Sequence, residues 1–185
     1  MGLLAVANFL ALLVVGAGLA SIALIGLRVL ASLSATAAGW LEIVRRAIGP
    51  YALWLASLVA ATSMAGSLYF SEIGGLVPCA YCWYQRIAMY PLAVILLIAA
   101  VRRDWGIRPY VTAIAAIGAV IAAYHALLQR LPGLPSGSCS VTVPCSTIDL
   151  ERFGFITIPV MALVGFVTVL VLLWIVADGD ERPGS

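Results

Sequence analysis

The sequence predicts an all-α membrane protein, a bundle of five transmembrane helices. Three observations point there. Of the 185 residues, 64% are hydrophobic and only 10% charged, against about 45–50% and roughly 25% in a soluble domain. Five apolar stretches each reach the roughly 20 helical residues that a bilayer demands. Small residues (Gly16, Gly18, Ala60, Ala61, Gly66, Gly118, Ala122) recur within these stretches, as close helix contact in lipid requires. The mean hydropathy of +1.12 leaves no soluble interior large enough to hide the apolar surface. A net charge of +2 with no basic run excludes a nucleic-acid binder.

The elements follow in order. The first stretch, Leu3–Leu27, carries no charge; it lacks the positive start of a signal peptide and exceeds the length of its apolar core. It reads as a retained helix. Trp40–Gly49 gathers Trp40, Leu41, Val44 and Ile48 on one helical face, which fits a short helix lying in the membrane interface or a plain connector. The second span, Tyr51–Phe70, is uncharged. The third, Trp83–Val101, carries only Arg86, and the fourth, Tyr110–Gln129, only His125. The loop Arg130–Ile156, with Pro132, Pro135, Pro144 and three glycines, reads as irregular and mobile. The fifth span, Thr157–Ala177, is uncharged, and 178–185 form a short tail.

Arginine placement gives the orientation. All ten basic residues are arginine. Seven (Arg28, Arg45, Arg46, Arg102, Arg103, Arg108, Arg182) fall on one side if every stretch crosses, leaving Arg130 and Arg152 opposite and Arg86 at a span edge. The arginine-rich side is expected to be cytoplasmic, so both cysteine pairs face outward, where disulfides persist.

Those pairs are the candidate chemistry. Cys79-Ala80-Tyr81-Cys82 is a C-x-x-C, an arrangement that makes an easily exchanged disulfide. Its two-residue gap closes too short a loop to stabilise the fold much, so redox activity is the favoured reading over a structural bridge. Cys82 begins the third span, where the helix dipole favours a thiolate. Arg86, four residues on, shares its face one turn deeper and either supports an anion there or snorkels to headgroups. His125 lies near the same depth; it either packs, hydrogen-bonds across helices or gives a proton to a ligand. Trp83, Tyr84, Tyr90, Tyr124 and Trp174 form an aromatic belt, some doubling as walls for a flat ligand. Cys139 and Cys145 in the outer loop would act as a disulfide relay, staple the loop, or, less favourably, join the other pair in a zinc site.

The run Pro78-Cys79-Ala80-Tyr81-Cys82-Trp83-Tyr84-Gln85-Arg86-Ile87-Ala88-Met89-Tyr90-Pro91-Leu92 resembles the DsbB/BdbC disulfide bond formation proteins. Pro144-Cys145, the segment Phe153-Gly154-Phe155-Ile156-Thr157-Ile158-Pro159 and Tyr124-His125 resemble the BdbC-like branch. The resemblance covers Tyr51–Ala177 and implies a four-transmembrane-helix bundle core over 51–177. Residues 1–50 would then add one extra N-terminal transmembrane helix and a cytoplasmic interfacial segment. It also implies a bacterial cell-membrane enzyme, a thiol:quinone oxidoreductase. A reduced thioredoxin-like extracytoplasmic oxidase would attack the Cys139–Cys145 disulfide, at Cys139. Electrons would pass to Cys79–Cys82, and Cys82 would deliver them to menaquinone or ubiquinone through a thiolate adduct. Arg86 would sit beside the quinone, with His125 a second quinone contact, and no metal is implied. The chain departs from the family pattern in its first helix and in the five-residue gap between Cys139 and Cys145. A vitamin K epoxide reductase-like enzyme is an alternative, though there the membrane C-x-x-C follows the loop cysteines, whereas here it precedes them. A membrane protein with inert structural disulfides is another.

Overall fold

The structure, a computed structural model, describes residues 2–131, 133–135, 137, 139–140 and 142–176; Pro132, Ala177, Arg182 and the expected tail 178–185 lie outside the described residues. Among the described residues, five helical segments are long and apolar enough to cross a membrane: Leu3–Ala31, Ala35–Ile73, Ala80–Arg102, Trp105–Arg130 and Ile158–Val176. The all-α membrane class is therefore as expected. The helices are α1 (Leu3–Ala31), α2 (Ala35–Ile48), α3 (Ala52–Leu68), α4 (Ala80–Arg102), α5 (Arg108–Arg130) and α6 (Ile158–Val171). A 3-10 turn over Gly49–Tyr51 joins α2 to α3, and π-type turns extend α3 over Tyr69–Ile73 and α6 over Leu172–Val176.

Helices α3 to α6 enclose one core, in which Ala56, Ala60, Leu92, Leu96, Val111, Ala122, Phe166 and Leu173 are buried. Exposed apolar side chains such as Ile22, Ile87, Val120 and Tyr110 ring the bundle, an arrangement that a lipid solvent accommodates. Helix α1 packs outside this unit, on α2 and α6. It buries Ala7, Ala11 and Ser21, and Ser21 Oγ lies 3.1 Å from Thr168 Oγ1 of α6.

The segment after α1 is helical, so the plain connector is ruled out. Leu41 is buried and Ile48 packs on the core, while Trp40 points away from the protein at 61% exposure. Arg45 Nε donates to the Ile175 carbonyl at 2.8 Å, where a cation complements the C-terminal end of the fifth span.

The loop between α5 and α6 is irregular over its described residues up to Leu150, as its prolines suggested, and ends in regular structure. A short antiparallel ladder pairs β1 (Glu151–Arg152) with β2 (Ile156–Thr157), with Phe153 and Gly154 in left-handed conformations between them. Leu150, Ile156 and Thr157 are buried. Tyr124 Oη donates to the Pro135 carbonyl at 2.6 Å, Gln129 Nε2 to the Thr147 carbonyl at 3.0 Å, and Arg130 pairs with Glu151. These contacts to α5 hold the loop over the bundle's end, and local composition does not reveal them.

The small residues divide. Gly66 admits the Leu10 side chain, Gly118 admits Phe166, and Ala60 and Ala122 are fully buried, but nothing approaches Gly16. At Gly118 a methyl group would overlap the Phe166 ring, itself fully buried. Gly118→Ala should therefore lower the melting temperature in detergent: overlap with three atoms of a fully buried ring puts the overpacking cost near the upper end of about 1–3 kcal/mol, above the roughly 1 kcal/mol of helix propensity gained. Phe166→Leu should restore part of the loss, and an unchanged melting temperature for Gly118→Ala would refute the contact.

Candidate functional site

The first pair is assembled by a helix start. The chain leaves the π turn, passes Gly75 at φ 71° and reaches Cys79 in an extended conformation (φ −73°, ψ 174°) as the N-cap of α4. Proline at 78 disfavours helix at Val77, and the extended Cys79 caps α4, which begins at Ala80. Cys79 Sγ accepts the Cys82 backbone N–H at 3.4 Å, and the Cys82 thiol lies 3.1 Å from the same sulfur. Both cysteines are free.

His125 of α5 completes the cluster. Its Nε2 lies 3.6 Å from Cys79 Sγ and 3.1 Å from the Cys145 carbonyl oxygen, while Nδ1 lies 3.0 Å from Gln85 Nε2. The Gln85 amide donates to Nδ1, which assigns the proton to Nε2. That N–H is then shared between the Cys79 sulfur and the Cys145 carbonyl. The contact from Cys82, and secondarily His125, holds the Cys79 thiol well below the usual thiol range, although burial opposes them. Nearby Asp149 is pushed up by burial and by charge on Cys79, with His125 pulling the other way. The Cys82 amide and the His125 ring thus favour a thiolate on Cys79, the cap of α4.

The second pair is joined: Cys139 and Cys145 form a disulfide with their Cα atoms 5.8 Å apart. Cys145 is 1% exposed and packs with Cys79 and Leu128, while Cys139 is partly exposed. The structure therefore brings both pairs into one cluster at one end of the bundle. Cys79, Cys82 and His125 also place their donor atoms within 4.8 Å of one another, a soft donor set that could take zinc when reduced.

On the other side of Cys82 lies a cavity of about 290 Å³, walled by α1, α3, α4 and α6. Most of its lining is aliphatic (Leu13, Leu58, Met89, Met161, Val164), with Cys82, Gln85 and Arg86 exposed to it. Arg86 is only 9% exposed; Nε donates to Ser67 Oγ and a terminal nitrogen to the Ser67 carbonyl, both at 3.0 Å. Tyr90 Oη donates to the same hydroxyl at 3.3 Å, and the Trp83 ring lies 5.2 Å from the guanidinium. Arg86 therefore does not snorkel: α3 and α4 fix it beside the cavity. Of the aromatic belt, Tyr90 lines this cavity, while Trp174 donates to Thr112 and stacks near Arg108.

A second, narrow space of about 20 Å³ is lined by Cys79, Cys82, His125, Thr147 and Asp149. Cys82 borders both spaces and Cys79 only this one. His125 belongs to the narrow side and does not line the large cavity, so its expected contact with a ligand there is replaced by contacts to sulfur and loop. Sequence reasoning missed Ser67, Gln85 and Asp149. Gln85 lies inside the Cys82–Arg86 run, three residues after Cys82; Ser67 is one of several serines in its span and carried no distinguishing signal.

Comparison with known proteins agrees with this architecture. The family model of disulfide bond formation protein DsbB matches residues 49–176. Disulfide bond formation protein C of Bacillus subtilis (strain 168) is 48% identical over 125 residues, covering 66% of this chain and 88% of its own length. A probable disulfide formation protein C 1 of Bacillus anthracis is 45% identical over 127 residues, covering 68% and 89% respectively. A probable disulfide formation protein C 2 of Bacillus cereus (strain ATCC 10987 / NRS 248) is 38% identical over 135 residues, covering 73% and 97%. No solved structure matches significantly. With the family model spanning more than half of its length, the chain belongs to the DsbB family of disulfide bond formation proteins.

Proposed function

We propose that the protein is a membrane thiol:quinone oxidoreductase that reoxidises an extracytoplasmic thioredoxin-like oxidase. The observation that carries this reading is the placement of Cys82. Its sulfur borders an apolar cavity containing a buried arginine on one side, and on the other the pocket shared by Cys79 and His125 next to the loop disulfide. The residues suit a quinone as acceptor substrate: aliphatic walls for a ring and tail, and a fixed guanidinium for an oxygen that gains negative charge.

The chemistry is a chain of two-electron exchanges. A thiolate of the reduced partner attacks Cys139, the more exposed sulfur of the outer disulfide, and Cys145 leaves as a thiolate. The partner's second thiol then resolves the mixed disulfide, so the partner is oxidised and Cys139 and Cys145 are reduced. Cys145 packs against Cys79, which supports Cys79 as the sulfur it attacks when the inner pair is oxidised; Cys82 leaves as a thiolate, and Cys139 then attacks Cys145, restoring the loop disulfide and freeing Cys79. Reduction of Cys79–Cys82 is followed by re-formation of that disulfide, with two electrons and two protons passing to the quinone. His125 Nε2–H stabilises the Cys79 thiolate between these steps, and Arg86 serves the acceptor side. Arginine placement supports an outward-facing site in the bacterial cell membrane, where both pairs meet an exported partner.

Three outcomes follow for the purified protein. With reduced partner and quinone, Cys82→Ala should abolish quinone reduction, and a parental rate in that variant would sink the mechanism. Arg86→Ala should slow quinone reduction on the order of 10²-fold, the effect of removing one charge-stabilising donor, while stoichiometric thiol exchange with the partner continues. Because the Cys79 pKa is lowered, its thiolate absorbance in the reduced protein should persist as the pH falls below neutrality. His125→Ala removes one of the lowering contacts and should shift the loss of that absorbance to higher pH; coincident titrations would remove histidine from the site.

A further inference from the structure

The cavity has a wall that the family's own region does not supply. The DsbB match begins at residue 49, yet Leu10, Leu13, Val14 and Ala17 of α1 line the cavity. Their spacing of three, four and seven residues puts them on one helical face. The helix is anchored beyond both ends of this stripe. Toward its N-terminus Ala7 packs with Phe70 and Leu150, and toward its C-terminus Ser21 meets Thr168. Leu10 itself seats on Gly66 of α3, where a Cβ would lie 2.9 Å from its methyl group. Helix α1 thus bridges α6 and α3 across a side of the cavity that would otherwise open sideways into the hydrocarbon.

We propose that α1 is a specificity-determining wall of the electron-acceptor site. Leu10, Val14 and Ala17 set the width available to a para-quinone ring and to the first part of its apolar tail, which must enter laterally from the membrane. The inference rests on the quinone reading above and adds to it a substrate-selecting element outside the matched region. Electron balance is unchanged: the Cys79–Cys82 dithiol becomes a disulfide while the quinone takes two electrons and two protons to become the hydroquinone.

The test uses the full-length protein, reduced with dithiothreitol, desalted, and mixed with decylubiquinone, which carries an alkyl tail, or menadione, which does not. Quinone absorbance and free thiols are followed together. Val14→Phe and Ala17→Phe should each raise the decylubiquinone concentration for half-maximal reduction by at least about tenfold, the scale of steric discrimination in an apolar pocket. The rise should be smaller for menadione. Leu19→Phe, on a face that is 63% exposed, should match the parent. If the parent reduces quinone and both cavity-facing variants retain parental values for both quinones, the wall has no selecting role. If the parent itself reduces neither quinone, the functional reading fails first and this inference falls with it. Should the phenylalanine variants fail to fold, photolabelling of the parent with an azidoquinone decides: label within residues 10–17 supports the wall, and label confined to α3, α4 and α6 overturns it.

Discussion

The hydrogen bond from the Cys82 amide to the Cys79 sulfur is the contact on which the rest of the site depends. A helix that starts near hydrocarbon has amide groups without carbonyl partners, and little water to satisfy them. Cys79 supplies an acceptor from its own side chain. Because Cys82 is the third residue of the helix, the return from N3 to the N-cap also brings its thiol to the same sulfur, at 3.1 Å, with the spacing of a capping box. One local geometry therefore ends the loop, caps the helix, places two sulfurs side by side and sets one of them at the positive end of the dipole. Replacing the pair with residues that cap equally well would preserve the helix and lose only the chemistry.

The buried arginine is the second constraint. A guanidinium in apolar surroundings is costly unless its donors are satisfied. Ser67 accepts from it through both hydroxyl and backbone carbonyl, and Tyr90 donates to the same hydroxyl. Helix α3 thereby fixes a charge carried by α4, and the charge stays beside the cavity instead of reaching for headgroups. The remaining donor capacity of the guanidinium is what an anionic acceptor could use.

How much of this was legible follows from how local each signal is. Five spans, the C-x-x-C and Arg86 one turn deeper than Cys82 are matters of composition and spacing along single helices, and they could be read directly. The depth of His125 was also readable, since helical rise fixes height in the membrane. Its direction was not: whether the ring turns toward the cavity or toward the loop depends on how α5 is rotated against α4, and the Gln85 contact that reveals this joins residues 40 apart. Ser67 was illegible for the same reason, as its role exists only across the α3–α4 contact. Proline and glycine content made the loop after α5 legible as irregular, but not its attachment, which Tyr124, Gln129 and Arg130 make from α5. The first helix was legible as a span; its position across the cavity was not, because an almost uniformly apolar helix carries no pattern to say which face meets protein.

The two spaces flanking Cys82 differ in size and lining. The large one has aliphatic walls and room for a ring, whereas the narrow one, about 20 Å³ beside Asp149, Thr147 and His125, is too small for anything but a water-sized group. On the proposed route a lipid-dissolved acceptor could therefore approach Cys82 without reaching Cys139 or Cys145, and the soluble partner could meet Cys139 without entering the cavity. On that route direct reaction between partner and acceptor is blocked by packing, and the exchange from Cys145 to Cys79, which pack together, becomes the connection between them. On the proposed route two adjacent couples serve better than one, because Cys82 borders the apolar cavity while Cys139 keeps partial exposure away from it.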